Sequence, residues 1–539
     1  MTPQLKIFAS NAAIKCLKTT TKLNSSVTVT QQMQQRRYSA AANPTKAAPA
    51  KPLKEMPSVN MLNMILGFLP GGKYKGADLN DITNDMLQDG DGNIVMIKGM
   101  FGKPPLILTQ NPDDFETVFR HEGVWPYRKG FELLNYHRNV HRVDYFGVES
   151  GLVTSQDKAW ANMRSAVNPI IIQPKNVKLY LGPLDSINQQ FIKRIKLIRD
   201  PETLEMPANF KDEISAWTLE SIGRVALDRQ LGLIEDTNPE GRRFFTLLQR
   251  FIQLAVDLEI KPSLWRQFKT PKLREALRVL DEGLEITDKY VQEAVERIEK
   301  STEVKSDAEK SVLEKLLGIN RKYAVIMALD MMFAGVDTTT STFAAILLAL
   351  AQHPDKQQKL RTEILGILPA KDTPLTVESM KNLPYLRACI KETLRFYPLT
   401  SANVRSTRQE LVLSGYTVPP GSEIAMVHLN LWRNEQHFSQ PDQFIPERWL
   451  REKQHDSIDS NGCPMATKSS HPFAYLPFGF GSRSCIGRRI AEMELEVGVA
   501  RLLRNFQVEF HHPADKPFIA YQLSTPRIPL QFKLIDLKD

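Results

Sequence analysis

Cysteine is scarce in this chain, with four among 539 residues. So few cysteines cannot form the disulfide framework that supports small secreted proteins. Apolar residues make up 42% of the chain and charged residues 24%, which is ordinary globular usage. The composition therefore excludes overall disorder and indicates a large hydrophobic core.

Long hydrophobic runs are also missing. The longest uncharged apolar stretch covers residues 338–354, and Asp330 and Asp337 lie just before it. A membrane-spanning helix needs about 20 consecutive apolar residues, so we predict no transmembrane helix. The sequence has no secretory signal and no internal repeat at periods typical of solenoids.

Acidic residues are absent from the first tenth of the chain. The first is Glu55, and nine basic residues precede it; removing these nine from the 70 basic residues leaves 61, equal to the 61 acidic residues. The net charge of +9 therefore belongs to the N-terminal segment. A nucleic-acid-binding protein, which that charge would permit, should carry a basic folded body instead.

The basic segment has the composition of a mitochondrial import signal, because it is rich in Ser, Thr, Ala and Gln and lacks acids. Lys15, Lys18 and Lys22 fall at helical spacing, and Arg36-Arg37-Tyr38-Ser39 resembles a matrix-protease site cleaved before Ser39. We predict a transit peptide at 1–38, an Ala/Pro/Lys-rich linker at 39–57 and a folded domain at 58–539. The alternative is a disordered basic tail.

Helical patterns dominate the chain after residue 109, and strand-like segments are short. The longest pattern covers residues 321–353, about 50 Å at 1.5 Å per residue, and Pro354 ends it. We predict a mainly α fold with a small β part. The other predicted helices cover 112–120, 156–171, 177–199, 212–227, 243–256, 270–300, 355–368, 376–383 and 384–396. The predicted strands cover 94–98, 106–108, 410–413, 416–418, 423–427, 507–510 and 529–534.

The most specific motif is Phe478-Gly479-Phe480-Gly481-Ser482-Arg483-Ser484-Cys485-Ile486-Gly487, which precedes a helical pattern. Helix N–H groups and the helix dipole stabilise a thiolate at such a position. A thiolate held in this way is a suitable axial ligand for haem iron. The alternative for an isolated cysteine is an inert core thiol.

Three further motifs have unremarkable alternatives when taken alone. Glu392 and Arg395 share a helix face and can pair, as many surface residues do. Ala334-Gly335-Val336-Asp337-Thr338-Thr339 is poor helix-forming sequence inside the longest helix. Trp160 and Arg164 also share a helix face, and Arg164 could be an ordinary surface arginine.

Together, and in this order along the chain, the four motifs resemble those of the cytochromes P450 over residues 58–535. The resemblance implies a large helical domain and a small β-rich domain around a buried haem b. It implies that Cys485 ligates the iron, that Asp337 and Thr338 deliver protons to bound dioxygen, and that Glu392, Arg395 and Arg448 form a buried ionic triad. The cofactor-binding residues that it implies are Trp160, Arg164, Arg405, Phe478, Arg483 and Cys485.

Paired arginines after Cys485 and the import signal are similar to those of mitochondrial P450s. Segments such as Glu122-Gly123-Val124-Trp125-Pro126 resemble an insect mitochondrial subfamily linked to xenobiotic and insecticide metabolism. This resemblance implies electrons from an adrenodoxin-like [2Fe-2S] ferredoxin and its NADPH-dependent reductase, peripheral contact with the matrix side of the inner membrane, and no nucleic acid. The residues expected to dock the ferredoxin are Arg387, Lys391, Arg488 and Arg489.

We therefore expect a haem-thiolate monooxygenase that inserts one oxygen atom of O2 into a lipophilic substrate. One alternative is an ecdysteroid hydroxylase with the same chemistry, and another is a haem-binding protein without turnover. Intact Asp337 and Thr338 argue against the latter. Substrate contacts are expected from residues 125–150, Phe333, Ala334, residues 400–404 and Ser524-Thr525.

Overall fold

A computed structural model describes residues 49–538 apart from 70, 75, 77, 91, 100–103, 261–262, 303–304 and 451–470. The transit peptide predicted at 1–38 lies outside the described residues. The described chain from Lys51 onward forms one unit.

Helices form most of this unit, as the sequence predicts. The helices are α1 (Met61–Phe68), α2 (Leu79–Gln88), α3 (Pro112–Arg120), α4 (Glu132–Tyr136), α5 (Val143–Phe146), α6 (Asp157–Ile171), α7 (Pro174–Lys178), α8 (Leu181–Ile198), α9 (Phe210–Ala226), α10 (Pro239–Ala255), α11 (Pro271–Lys300), α12 (Val312–Leu317), α13 (Arg321–Gln352), α14 (Pro354–Ile367), α15 (Pro384–Phe396), α16 (Leu429–Trp432) and α17 (Arg488–Asn505). Two π-helical turns, His137–His141 and Val256–Ile260, follow α4 and α10.

The strands pair in small sheets. They are β1 (Lys51–Pro52), β2 (Ile94–Ile97), β3 (Leu106–Thr109), β4 (Ala402–Ser406), β5 (Leu411–Leu413), β6 (Tyr416–Val418), β7 (Glu423–Val427), β8 (Phe506–Glu509), β9 (Phe518–Ala520), β10 (Ser524–Pro526) and β11 (Lys533–Asp536). The largest sheet has the order β2-β3-β7-β4, and β3 and β7 in it are parallel. A three-stranded sheet has the order β1-β6-β5, and β8–β11 and β9–β10 are two-stranded.

Helix α13 runs through the core. Its N-terminus is capped by Asn320, whose side chain accepts the Lys322 N–H, and residues 339–350 are all buried. A helix that is apolar on every side is expected to be buried in this way. By length and hydropathy α13 passes a test for membrane-spanning helices, but 72% of its most apolar window is buried inside the protein.

The folded domain begins earlier than predicted, which corrects the linker boundary. Lys51 and Pro52 pair in parallel with β6, and Met56 is a core residue at 3% exposure. The Val59 N–H also donates to the Met96 carbonyl oxygen. The Ala/Pro/Lys composition suggested a linker, but tertiary pairing with β6 overrides local composition.

Several local predictions were wrong. The helix predicted at 376–383 is only a 3-10 turn, Ser379–Lys381, because the Thr376 and Ser379 side chains hydrogen-bond to nearby backbone groups. The single helix predicted at 177–199 is broken between α7 and α8. The strand predicted at 529–534 lies at Lys533–Asp536 instead. Among the elements that the sequence did not predict are α1, α2, β4, β9 and β10.

Helices α9, α13 and α17 meet at Gly498. The rings of Trp217 and Phe343 pack 4.6 Å apart, and a Cβ added at Gly498 would lie 2.8 Å from Trp217 and 3.0 Å from Phe343. Both rings are completely buried. A side chain at this position would therefore have to displace two large aromatic residues.

We predict that Gly498→Ala destabilises the protein by about 1–3 kcal/mol, because the extra methyl group overpacks a filled core. Gly366→Ala is the matched control, since Gly366 also lies in a helix and no atom lies within 4 Å of its added Cβ. It should raise the free energy of unfolding by about 0.5–1 kcal/mol. Chemical denaturation measures both values, and equal effects of the two variants would contradict the packing account.

Candidate functional site

The cysteine loop, residues 478–487, turns sharply before α17. Gly479 and Gly481 have φ angles of 70° and 72°, which residues with a Cβ rarely adopt. Gly481–Arg483 form a 3-10 turn, and the Cys485 N–H donates to the Phe478 carbonyl oxygen at 2.9 Å. The loop therefore presents Cys485 just before the N-terminus of α17.

The Cys485 side chain is surrounded by protein and is still accessible. Burial raises the pKa of this thiol, while the Gly487 N–H and the Arg164 guanidinium oppose the rise. The residue nevertheless keeps exposed surface. The thiol is therefore accessible as a ligand although protein surrounds it.

Glu392 is completely buried and makes hydrogen bonds through both carboxylate oxygens. Arg395 donates to both oxygens at 3.0 and 2.7 Å, and Arg448 Nε donates to Oε1 at 3.1 Å. The Ile445 N–H and the Trp449 indole N–H also donate to this carboxylate. The structure thus brings together the three residues expected to form a triad, and sequence reasoning missed Trp449.

Aromatic residues connect this ion cluster to the cysteine loop. The Trp449 ring packs 4.6 Å from the Tyr475 ring, and the Tyr475 hydroxyl donates to the Lys391 carbonyl oxygen at 2.8 Å. The Trp432 indole N–H donates to the Ala474 carbonyl oxygen at 2.6 Å. These contacts fix the chain that leads into the loop.

Four arginine side chains lie together near Cys485. Arg164, Arg405 and Arg483 were predicted from sequence, and Arg128 is the fourth. Burial lowers the pKa of Arg128 to about 10 and that of Arg483 to about 9, and neighbouring guanidinium charges add to both shifts. Positive charge concentrated in a partly dry site favours an anionic ligand.

Arg483 uses its guanidinium N–H groups to bind other parts of the protein. Arg483 donates to the carbonyl oxygens of Pro126, Leu152 and Ser155 and to the Gln156 side chain, and its guanidinium lies 4.0 Å from the Trp160 ring. Its hydrogen bonds therefore hold the cysteine loop against the segment before α6.

Arg164 and Arg128 have donors left over. Arg164 donates to the Ser484 carbonyl oxygen at 3.0 Å, while its Nε is buried and has no partner among the described residues. Arg128 follows Trp125-Pro126, which belong to a segment that resembles the insect subfamily. Among the described residues, no group accepts a hydrogen bond from its guanidinium. These free donors, beside an accessible thiol, fit the two propionates and the iron of a haem.

Ala334 and Thr338 mark the open side of α13. Ala334 is exposed and Thr338 is only partly buried, whereas residues 339–350 are all buried, so the helix has an open side at this level. The Thr338 hydroxyl donates to the Ala334 carbonyl oxygen at 2.7 Å. Burial raises the pKa of the neighbouring Asp337, and Lys211 opposes that rise. Asp337 therefore holds a proton more readily than a surface aspartate does.

The expected substrate segments surround the same part of α13. Phe333 makes an edge contact with Phe251 of α10 at 5.0 Å, and the Ser524 N–H donates to the Leu399 carbonyl oxygen. The segment after α4 is attached to α11, because His137, His141 and Arg142 all contact the Asp281 carboxylate within 3.1 Å. Hydrogen bonds to this carboxylate thus close one side of this region, and the one from Arg142 is also an ion pair.

A groove of about 470 Å³ lies on the surface beside the cysteine loop. Three of the four expected docking cations line it: Arg387, Lys391 and Arg488. Arg387 is paired with Glu496 at 2.9 Å and Arg488 with Glu492 at 2.9 Å. Lys391 and Arg489 are exposed and have no carboxylate partner among the described residues.

We predict that Glu392→Gln lowers the free energy of unfolding by about 3–5 kcal/mol, because it leaves two buried arginines without their counter-charge. The control is Glu378→Gln, which removes an exposed carboxylate paired with Lys381 and should cost less than about 1 kcal/mol. Denaturant titration gives both values. A loss of similar size in both variants would show that Glu392 is not a structural centre.

Comparisons with known proteins agree with this geometry. The sequence profile of the cytochrome P450 family matches residues 66–534. The chain is 51% identical to cytochrome P450 CYP12A2 of Musca domestica, over 90% of this chain and 92% of that relative. It is 49% identical to the probable mitochondrial cytochrome P450 12a5 of Drosophila melanogaster, with the same coverage. The chain therefore belongs to the cytochrome P450 family, whose members are monooxygenases that bind haem through a cysteine thiolate.

Proposed function

We propose that this protein is a mitochondrial monooxygenase that hydroxylates lipophilic small molecules and takes its electrons from a [2Fe-2S] ferredoxin. The single observation that carries this proposal is the accessible Cys485 thiol beside four arginines. The relatives named as mitochondrial and the basic N-terminal segment support the location. We further propose that residues 1–38 are the import signal.

In the proposed site, Cys485 would supply a thiolate ligand to the haem iron, and Trp160, Arg128, Arg164, Arg405 and Arg483 would hold the haem propionates. Phe478 packs against the guanidinium of Arg488, 5.1 Å away, and supports the loop from the surface side. Bound haem supplies the reductive activation of dioxygen, with one oxygen atom entering the substrate and the other leaving as water. The protein excludes bulk water and controls where protons arrive.

Asp337 and Thr338 are proposed to deliver those protons. Because burial raises the pKa of Asp337, its carboxyl holds a proton more readily than a surface aspartate does, and the Thr338 hydroxyl lies on the open side of α13. A carboxyl and a hydroxyl in series can transfer a proton while bulk water stays outside. These residues also favour turnover over simple haem carriage.

Peripheral contact with the inner membrane, on its matrix side, is a further part of the proposal. Helix α1 exposes Leu62, Ile65 and Leu66, each at 45% exposure or more. Adjacent exposed apolar side chains of this kind mark a surface that lies against lipid or another protein. The short α1 would lie on the membrane and not cross it.

The substrate class is tested by turnover of the holoenzyme with a mitochondrial ferredoxin and its reductase. One panel holds lipophilic xenobiotics, including insecticides, and the other holds ecdysteroid precursors. We expect oxygenated products from the xenobiotic panel. Products from the ecdysteroid panel alone would favour the hormone hydroxylase, and no product from any substrate with intact haem would contradict monooxygenase function.

Thr338→Val should reduce the product formed per NADPH consumed several-fold, since a lost proton donor diverts electrons to hydrogen peroxide. The haem spectrum should not change, because the two side chains have similar volumes. Thr339→Val is the control: its hydroxyl lies on the packed side of the same helix. The role of Thr338 is refuted if both variants couple NADPH to product as the wild type does.

Lys391→Glu and Arg489→Glu should each raise the ferredoxin concentration needed for half-maximal turnover on the order of tenfold at low salt, because both cations are free to meet an acidic partner. High salt should reduce the difference. Arg274→Glu, on α11 away from the groove, is the control. Unchanged ferredoxin dependence in Lys391→Glu and Arg489→Glu would place the docking surface elsewhere.

A further inference from the structure

Glu122 lies inside the arginine cluster described above. Its Oε2 accepts a hydrogen bond from Arg405 Nε at 2.5 Å, and both side chains are less than 10% exposed. Arg405 belongs to β4, while Glu122 precedes the segment that carries Arg128. The pair therefore joins two of the segments that supply arginines to the site.

The other oxygen of Glu122 lies against the cysteine loop. A Cβ added at Gly481 would lie 2.6 Å from Glu122 Oε1, closer than real Cβ atoms come to any neighbour. Gly481 also needs its positive φ angle for the turn. The absence of a side chain at Gly481 thus lets a buried carboxylate approach the loop that carries Cys485.

The charge of Glu122 acts directly on two members of the cluster, Arg405 and Arg483. Burial raises the pKa of Glu122, and the Arg405 and Arg483 guanidinium groups oppose that rise. Arg483 is in turn affected by Arg128, Arg405 and Arg164. Four positive charges therefore share one internal negative charge before any ligand is considered. A fixed negative charge near a redox centre favours the oxidised form, because that form carries the greater positive charge.

We propose that Glu122 is a positioning residue of the haem site, which holds Arg405 in place and offsets one guanidinium charge, and thereby lowers the reduction potential of the iron. The proposal rests on the assignment of the arginines to the haem propionates. It goes further by assigning a role in the same site to a carboxylate, whereas the charged residues assigned so far are arginines. Removing this carboxylate leaves the cluster more positive, which favours the reduced iron.

The test is a potentiometric titration of the purified, substrate-free holoenzyme. Glu122→Gln should have a higher reduction potential than the wild type, and Arg405→Gln a lower one. The double variant should lie near the wild type, because it removes one charge of each sign. Glu122→Asp keeps the charge and should restore the wild-type value. These shifts do not depend on turnover with any substrate.

Glu220→Gln is the control for the loss of a buried carboxylate. Glu220 is also buried but accepts the backbone N–H groups of Leu231, Gly232 and Leu233, so its removal should affect stability and leave the potential unchanged. Equal potentials for Glu122→Gln, Glu220→Gln and the wild type would overturn the role of Glu122.

Arg405→Gln distinguishes failure of the proposed role of Glu122 from failure of the assignment of Arg405 to a haem propionate. If Arg405→Gln lowers the potential while Glu122→Gln changes nothing, only the role of Glu122 fails. If neither variant shifts the potential, the propionate assignment of Arg405 fails as well. If Glu122→Gln does not retain haem, the double variant is compared with Arg405→Gln, from which it differs only by the loss of the Glu122 carboxylate. Equal reduction potentials in these two variants would overturn the proposal.

Discussion

The buried carboxylate of Glu392 is the interaction on which the site depends. It accepts hydrogen bonds from two arginines, a backbone N–H and an indole N–H. Removing an ion from water is costly, and such a group persists only when its partners satisfy it completely. Because those partners belong to α15 and to the segment ending at Trp449, one carboxylate fixes two parts of the chain.

The cysteine loop follows from that constraint. Tyr475 packs on Trp449, and residues 474–475 are tied to α15 and α16 through hydrogen bonds. The two glycines with positive φ then turn the chain so that Cys485 faces inward. Helix α13 has an open side at Ala334 and Thr338, and the arginines lie around the loop. The site contains a thiol, a set of free guanidinium donors and a protonatable aspartate, and each of these polar groups is costly to bury alone. Together they match one anionic, metal-containing cofactor.

Much of this was visible in the sequence. Three of the site's features are patterns of neighbouring residues that can be recognised without knowledge of the fold. They are the cysteine loop, the Glu392-x-x-Arg395 pair and the Asp337-Thr338 pair. The length of α13 was also predictable, because its apolar residues surround the helix and Pro354 ends it. Local signals therefore predicted the helical class and the residues of the loop.

What the sequence could not give depends on contacts between distant segments. Arg128 and Glu122 have no local mark of function, and their meeting with Arg405 arises only from folding. The composition around Lys51 and Pro52 predicted a linker, whereas in the structure these residues pair with β6. Arg387 matched a docking position, yet in the structure it is paired with Glu496. In each case a partner far along the chain decides the role of the residue.

The central claim is that Cys485 presents a thiolate to haem iron. It is tested most directly by the absorption spectrum of the reduced, carbon monoxide-bound protein. We predict the Soret band typical of thiolate ligation in the wild type and its loss in Cys485→Ser. Cys389→Ser, which alters a buried cysteine of α15, should keep the band. A wild-type spectrum without that band, or a Cys485→Ser variant that retains it, would contradict the account.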